Sequence, residues 1–440
     1  MAEIISVEDL LEMNLDIPYY QRPYKWDTQN INNLILDIAT AINDAAKYGN
    51  EFKYRLGTII LHKEGNTYNI VDGQQRFISL ILLKLYIKPD TEPEFNCPIL
   101  GKKINNKITQ YNIHRNYAFI KEWFSLKNAA VKEAFNLAFK NILETVVIYV
   151  DNVDEAFQLF DSQNTRGKTL DPHDLLKAYH LREMRQCPYE MEHAVTKWEA
   201  KDTEEIKNLF DLYLFPIWNW SRGNKSKPFT SKEIDIYKGI TEGSTYSYAK
   251  RASKAMPHFQ ITEPFIAGND FFEMVEHYMR LLKDIKSEIC YNSNFGEIKQ
   301  IICGEKKVDN PDEMDRVKLG SAGLRYVKNL FFCALLCYYD RFHNFDEMVV
   351  KKLFSWAFML RADMDRLGFD SVNKYAIGEE NSNYTNNVGM FSKICLARMH
   401  HDIAGLPIKV LRNPDYPSDK KWKSLYDKIK EINGYGGQNE

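Results

Sequence analysis

The stretch Tyr68-Asn69-Ile70-Val71-Asp72-Gly73-Gln74-Gln75-Arg76 runs directly into the apolar segment 77–87. An apolar run, an Asp-Gly pair and a second apolar run predict a strand, a tight turn and a helix. Backbone N–H groups at a helix start favour an anion, and Gly73 permits a positive φ or a close ligand approach. Arg76 can donate two parallel hydrogen bonds to a phosphate. The local sequence fits equally well an ordinary turn that only caps a helix.

The composition is that of a globular protein with more than one domain. The chain has 440 residues, of which 44% are apolar and 27% charged. The formal net charge is −2, so any binding of nucleic acid would depend on local basic patches. The seven cysteines form no C-x-x-C pair, which favours a reduced cytoplasm over a disulfide framework or a zinc site.

A membrane location is not expected from this sequence. The N-terminal residues 1–14 carry acidic groups and lack the basic and apolar pattern of a signal peptide. The longest apolar runs contain polar residues or are too short to span a bilayer. We therefore expect a soluble cytoplasmic protein with no membrane partner.

The residues before the opening stretch predict a strand hairpin and a capped helix. The segment IPYYQRPYKW (17–26) has two prolines and is expected to be extended. Asp27 is a predicted N-cap, and Trp26 is expected to pack on Ile31 as a hydrophobic staple. Residues 54–62 and 67–71 predict two strands joined by a short turn.

The remaining pattern predicts a mixed first half and a helical second half. Residues 145–150 predict a strand, 164–167 a turn, and 174–182 a helix opened by Asp171 and Pro172. After residue 185 amphipathic helical patterns dominate. We expect a domain over 1–185, a helical domain over 186–433 and a disordered tail over 434–440.

Two segments are locally basic. Residues 101–140 contain eight Lys or Arg and two acidic residues, and residues 221–260 contain eight Lys or Arg and three acidic residues. Tyrosine, phenylalanine and tryptophan are interleaved in the first segment. A solvated helix face is the common origin of such a pattern, and a surface that follows a phosphate backbone is the alternative.

Three loops place a basic residue beside amide or small residues: Gln21-Arg22, the turn 72–76, and Asn164-Thr165-Arg166-Gly167. Guanidinium and amide groups at a helix N-terminus suit a phosphate, and Asp72 could hold Mg²⁺ or orient a water. The Walker A pattern does not occur, which excludes a P-loop enzyme.

Three motifs in this order and spacing resemble the GmrS-type family of bacterial phage-defence proteins. The motifs are IPYYQRPYKW (17–26), the strand–DGQQR–helix unit (68–87) and FDSQNTRGKTLDPHDLLKAY (160–179). Segments 261–278 and 324–342 resemble, less specifically, the helical second half of that family. The resemblance implies an α+β architecture, in which a ParB/sulfiredoxin-like N-terminal domain precedes a mostly α-helical domain.

The resemblance also implies a site that binds and hydrolyses a nucleoside triphosphate, usually with Mg²⁺. The expected catalytic residues are Asp72, Gln74, Gln75 and Arg76, with Asp72 as the metal ligand. The expected nucleotide-binding residues are Gln21, Arg22, Gly73, Asn164 and Gly167. Many family members have two hydroxyl residues after the motif where this chain has Phe77-Ile78-Ser79-Leu80, which puts the role of those hydroxyls in doubt.

The chain shows no counterpart of the family's His-Asn-His nuclease module. His400-His401-Asp402 lacks the Pro and Asn context, and His114-Arg115-Asn116 is interpreted as a chance triplet. We therefore expect an NTPase that senses DNA or modified DNA for a separate nuclease subunit. Whether the chain forms a homo-oligomer is left open by the sequence. The alternatives are a non-catalytic nucleotide- or DNA-binding regulatory module and a self-contained endonuclease.

Overall fold

The computed structural model describes most of the chain in two compact units. The described residues are 2–18, 21, 23–49, 51–88, 106–150, 171–184, 187–241, 260–304, 308, 310–316, 321–380, 388–408, 416–418 and 420–435. The first unit is drawn from Met1–Leu170 and Met184–Ala200, and the second from Asp171–Glu183 and Lys201–Glu440. Most of the predicted disordered tail lies outside the described residues.

The first unit contains a mixed five-stranded sheet. Its strands are β1 Ala2–Ser6, β2 Leu15–Asp16, β3 Tyr54–Glu64, β4 Thr67–Asp72 and β5 Leu143–Val150. The spatial order is β1-β5-β3-β4-β2. Strands β3 and β4 form the predicted antiparallel hairpin, whereas β3 pairs with β5 in parallel. The sheet therefore delivers the end of β4, with the Asp-Gly turn, beside the middle of β3.

The helices up to residue 200 are α1 Val7–Glu12, α2 Thr28–Tyr48, α3 Gln74–Ile87, α4 Lys107–Ser125, α5 Ala129–Asn141, α6 Pro172–Glu183 and α7 Pro188–Glu199. Helix α6 belongs to the second unit and the others to the first. Side-chain caps determine where several of them begin. Ser6 accepts from the Asp9 N–H at α1, and Asp27 forms a reciprocal capping box with Asn30 at α2, where the sequence predicted Asp27 as the N-cap.

Helices α1 to α5 bury their apolar sides against one face of the sheet. Ile59 and Leu61 of β3 belong to this core, together with Phe77 and Leu80 of α3. Ile60, between them in sequence, belongs to a separate small cluster with Val71 and Val150, as alternation along a strand requires. Helix α3 is buried nearly all round, so the turn that precedes it is held on a rigid base.

The second unit is mainly helical. Its further helices are α8 Thr203–Asn208, α9 Phe215–Ser221, α10 Asn269–Tyr291, α11 Gly296–Cys303, α12 Pro311–Arg316, α13 Ala322–Phe342, α14 Glu347–Asp363, α15 Phe369–Ile377, α16 Met390–Leu396, α17 His400–Ala404 and α18 Lys423–Ile432. A π-helical segment Leu209–Leu214 and 3₁₀ turns Ile234–Tyr237 and Ser293–Phe295 connect them. Within its described residues the β-structure is one bridge, Ile240 to Ile266. The predicted α+β architecture is confirmed.

Two buried ionisable side chains hold this second unit together. The ring of His180 is hydrogen-bonded through Nε2 to the Tyr237 carbonyl at 2.8 Å, and Nδ1 accepts from the Gly268 N–H at 3.0 Å. Burial lowers the pKa of His180 to about 3, so the ring is neutral. Asp340 accepts from the Ile261 N–H and the Tyr278 hydroxyl, and burial raises the pKa of its carboxyl to about 7.

Candidate functional site

The turn after β4 has the geometry of an open helix N-terminus. Gly73 is the N-cap of α3, in the left-handed region with φ 93° and ψ 2°. A Cβ at this position would lie 2.7 Å from Cγ1 of Ile59, so glycine is required both by φ and by space. Gly73 provides no side-chain cap. A helix start whose N-cap residue offers no side chain suits an anion or a water as the partner of its first N–H groups.

Arg76, the third residue of α3, places a half-buried cation in the first turn of that helix. Its Nη1 donates to the Thr58 carbonyl at 3.2 Å, where β3 has an irregular register. A Cβ on Gly57 would lie 3.0 Å from Nη1, so the absence of a side chain there makes room for the guanidinium. Burial lowers the pKa of Arg76, while the charge of Asp72 opposes this shift. The guanidinium stays charged and has donors beyond the one that Thr58 accepts.

Asp72 is the last residue of β4 and is half-buried. It lies close enough to Arg76 for its charge to act on the guanidinium. The site thus combines a carboxylate, a guanidinium and a helix N-terminus. A carboxylate suits a hard divalent cation, and the other two groups suit phosphate oxygens.

Gln75 is used to hold the segment before α2. Its Oε1 accepts from the backbone N–H groups of Lys25 at 2.7 Å and Trp26 at 3.2 Å. Its Nε2 donates to the Pro23 carbonyl at 3.0 Å. The amide is buried, with both ends engaged. The structure therefore gives Gln75 a positioning role beside the predicted catalytic one.

Gln21 attaches the same segment to the end of β4. Its Nε2 donates to the carbonyls of Ile70 at 3.1 Å and Val71 at 2.8 Å. Gln21 of the first predicted loop is therefore bound to the end of β4, just before the Asp-Gly turn, and its nucleotide-binding role stays a prediction. Arg22, Asn164 and Gly167, predicted to line the same pocket, lie outside the described residues, so their assignment stays a prediction.

Gln74 differs from its neighbour in what its amide contacts. The side chain is 7% exposed, and its Oε1 is buried with no hydrogen-bond partner among the described residues. An unsatisfied buried acceptor costs about 1–3 kcal/mol, and such groups in native proteins often mark functional positions. Gln74 therefore remains a candidate for contact with a bound molecule.

A polar row on α4 supports the site and was not recognised in the sequence. Tyr24 N–H donates to Thr109 Oγ1 at 3.1 Å, Asn112 donates to the Tyr24 carbonyl at 2.7 Å, and Asn116 donates to the Trp26 carbonyl at 2.8 Å. The spacings of three and four residues put these side chains on one inner face of the helix. That spacing was the signal available in the sequence, but the basic character of the segment 101–140 drew the interpretation instead.

Ser79 completes this support. Its hydroxyl is 2.8 Å from the Tyr24 hydroxyl and donates to the Gln75 carbonyl at 2.9 Å. Asn116 donates to the same Tyr24 hydroxyl at 2.9 Å. The hydroxyl after the DGQQR motif thus packs within the fold, which gives it a structural role.

A second group of possible metal ligands lies in the second unit. The ligand atoms of Asp171, His173 and Asp174 lie within 4.8 Å of one another. Lys207 forms an ion pair with Asp171 at 3.2 Å, and a cation there competes with a metal ion.

Within the described part of the chain, no helix is both long and apolar enough to cross a membrane.

Fold and site define a protein with an α+β unit, in which a strand, a glycine turn and a helix bring Asp72 and Arg76 together, and with a second, mainly helical unit. Residues 7–181 match the family model described as the N-terminal domain of the GmrSD restriction endonuclease. Residues 190–424 match a model described as a family of unknown function, DUF7834. The chain belongs to this DUF7834 family, and its first half makes it a member of the GmrSD-type phage-defence family. No curated protein matches the chain.

Proposed function

We propose that this protein is a nucleoside-triphosphate-binding and hydrolysing sensor subunit of an anti-phage restriction system. A GmrSD-type domain supports a part in restriction. The observation that carries the nucleotide site is the half-buried Arg76 guanidinium beside Asp72, at a helix start whose N-cap is a side-chain-free Gly73. Two kinds of phosphate donor, backbone N–H and guanidinium, meet there within one helical turn.

Each residue of the turn has a distinct part in this proposal. The N–H groups after Gly73 bind phosphate oxygens, and Arg76 neutralises the charge that develops on the transferred group. Asp72 would hold Mg²⁺, with nucleotide oxygens and water as the other ligands, and the ion would supply charge neutralisation when bound. Gln74 contacts the bound phosphate or the attacking water. Gln75 acts on geometry, because its amide is used by the 23–26 segment.

The binding test uses variants that keep side-chain shape. Wild type, Asp72→Asn, Arg76→Lys and Gln74→Leu are titrated with each of the four nucleoside triphosphates in Mg²⁺, and phosphate release is followed. Arg55→Ala, an exposed arginine on β3, is the matched control. We expect turnover in wild type and in the control, and a loss of at least about tenfold in Arg76→Lys, where the two-pronged contact is removed.

The outcomes separate the proposal from its rival. Nucleotide binding without turnover in the wild type would favour the alternative function, a non-catalytic regulatory module that binds nucleotide or DNA. Absence of both binding and turnover with all four nucleotides, in protein shown to be folded by circular dichroism, would overturn the site. Equal losses in Arg55→Ala and Arg76→Lys would show that the effect is not specific to the Arg76 guanidinium.

DNA is the proposed macromolecular partner, and a separate nuclease subunit the proposed effector. The restriction family of the first half supports DNA, and the basic segments 101–140 and 221–260 are the candidate contacts. If they contact phosphates, the affinity for duplex DNA should fall steeply with salt, by roughly one power of salt concentration per contact. An affinity that does not change between low and physiological salt would exclude these segments.

A further inference from the structure

Two cysteines from different helices meet in the second unit. Cys337 lies on α13 and Cys395 on α16, and their side chains form a hydrogen bond. Cys337 is 5% exposed, whereas Cys395 is half-buried. The buried hydroxyl of Ser221, at the end of α9, lies beside both sulfurs and has no oxygen or nitrogen partner among the described residues. A thiol that solvent reaches is thus backed by one that solvent does not reach.

Two arginines place positive charge at this pair. Arg341 donates from Nε and Nη2 to the Ala397 carbonyl at 3.2 and 3.0 Å, two residues after Cys395. Arg222 is held by the Thr262 carbonyl at 3.0 Å. The hydrogen bonds from Cys337 and Ser221 and these charges lower the pKa of Cys395 to about 6. Asp340 also acts on the pair, but burial raises the pKa of its carboxyl to about 7, which reduces its negative charge.

Other thiols of this unit are held differently. Cys333 donates to the Leu212 carbonyl at 3.0 Å, and burial raises its pKa. Cys290 is within 3.8 Å of the Val308 carbonyl and is buried. A thiol that donates to a buried carbonyl is protonated and unreactive. The contrast marks Cys395 as a nucleophile and Cys337 as its neighbour.

We propose that Cys395 and Cys337 form an oxidation site, at which hydroperoxide oxidises the accessible thiol and the buried thiol then closes a disulfide between α16 and α13. Both cysteines belong to the second unit and the nucleotide turn to the first, and the oxidation proposal does not rest on the proposed function. The carriers of the proposal are the thiol–thiol contact, the difference in accessibility and the two flanking guanidinium groups.

The chemistry balances with hydrogen peroxide as the oxidant. The Cys395 thiolate attacks one peroxide oxygen, the O–O bond breaks, and the departing oxygen leaves as water after protonation, which yields a sulfenic acid. The Cys337 sulfur then attacks the Cys395 sulfur, the S–O bond breaks, and the oxygen leaves with the Cys337 proton as a second water. Two thiols and one peroxide give one disulfide and two waters.

The first experiment needs no variant. Reduced wild-type protein is treated with equimolar hydrogen peroxide, alkylated, and digested without reductant for mass spectrometry. We expect a peptide linking Cys337 to Cys395, an intact mass lower by about 2 Da before alkylation, and reversal by dithiothreitol. Oxidised protein that carries sulfinic acid at Cys395 and no such cross-link would overturn the proposal.

Variants then assign the order of the two thiols. In Cys337→Ser, dimedone should label Cys395 as a persistent sulfenic acid, whereas Cys395→Ser should show neither label nor cross-link at Cys337. Cys187→Ser, which removes an exposed thiol elsewhere, is the matched control and should leave cross-linking unchanged. If Cys187 is oxidised before Cys395 in the wild type, accessibility alone determines reactivity, and the proposal fails.

Discussion

The side-chain oxygen of Gln75 accepts a 2.7 Å hydrogen bond from the backbone N–H of Lys25, a residue 50 positions earlier in the chain. The same amide reaches Trp26 and Pro23. One residue of the DGQQR turn therefore holds the segment that continues into α2. The turn that carries the candidate chemistry also fixes the backbone beside it, so structural and chemical effects of mutations there have to be separated.

Replacing Gln75 should lower the stability of the fold, because its side-chain amide holds the backbone of residues 23–26. Gln75→Leu leaves two backbone N–H groups and one carbonyl without their partner, and we expect a loss of roughly 3 kcal/mol in the free energy of unfolding. Urea denaturation of the variant measures it. Gln29→Leu, an exposed glutamine on α2, should change the value by no more than about 0.5 kcal/mol. Similar losses of stability in both variants would contradict the role of Gln75 in holding the 23–26 segment.

Gly73→Ala combines backbone strain with a clash. The added Cβ would lie 2.7 Å from Ile59 in the wild-type geometry, and φ is 93°. We expect a loss of about 3 kcal/mol in stability together with weakened triphosphate binding. Gly65→Ala is the control, because Gly65 has a positive φ of 62° with open space around it, and should cost only about 1 kcal/mol. Denaturation curves of the two variants decide the difference.

Glu8 neutralises a buried lysine. Lys84 is 2% exposed, and its Nζ lies 2.8 Å from both oxygens of Glu8 and 2.9 Å from Asn136 Oδ1. Glu8→Ala leaves a buried ammonium without its counter-charge, which should cost about 3–5 kcal/mol.

The control for this ion pair is Arg55→Ala, which removes an exposed partner of Glu144 on the same sheet. It should change stability by less than about 1 kcal/mol. Lys84→Met paired with Glu8→Gln should recover most of the loss seen in Glu8→Ala, because no charge is then buried. A double variant as unstable as Glu8→Ala would rule out the unpaired charge as the cause.

His180 should make the second unit sensitive to acid. Burial lowers its pKa to about 3, so as pH falls the unfolded chain binds the proton first. The contribution of the neutral imidazole to the stability of the protein is complete above about pH 6.5 and is lost progressively toward pH 3. Relative to His180→Gln, the wild type should lose roughly 2 kcal/mol between pH 6.5 and 5. Parallel pH dependences of the two proteins would refute this.

Asp340 should act in the opposite direction. Burial raises the pKa of its carboxyl to about 7, so the folded state binds the proton more tightly than the unfolded state. Its contribution to stability is complete below about pH 4 and is lost as pH rises toward 7. Asp340→Asn should therefore gain on the wild type by roughly 2 kcal/mol between pH 5 and 7. Denaturant midpoints of the wild type and of Asp340→Asn, measured at both pH values, give this difference. Both proteins retain His180, so its titration contributes equally to each.

Local patterns predicted much of the first unit correctly. The N-caps Ser6 and Asp27 and the hairpin of β3 and β4 follow from short-range rules, in which a cap, a turn or an alternation is complete within a few residues. The Asp-Gly turn and the start of α3 belong to the same class. Such features require no knowledge of distant contacts.

The support of the site could not be predicted, because its partners are far apart in sequence. Asn116 holds the backbone of Trp26 across 90 residues, and Lys84 pairs with Glu8 across 76. A helix within a basic segment gives no sign that its inner face carries asparagines bound to backbone groups. Gln74 and Gln75 are identical residues in adjacent positions, and their different contacts likewise depend on the direction in which α3 points each amide.

The sequence by itself determined the strand, turn and helix at residues 68–87, since φ preferences, alternation and caps act over a few residues. It also carried the order of motifs that marks the GmrSD-type family. Tertiary structure alone decided that Ile59 forbids a side chain at Gly73, that Gly57 makes room for Arg76, and that Cys337 meets Cys395. Those relations depend on distances between segments brought together only by burial of the cores, and no local pattern encodes them.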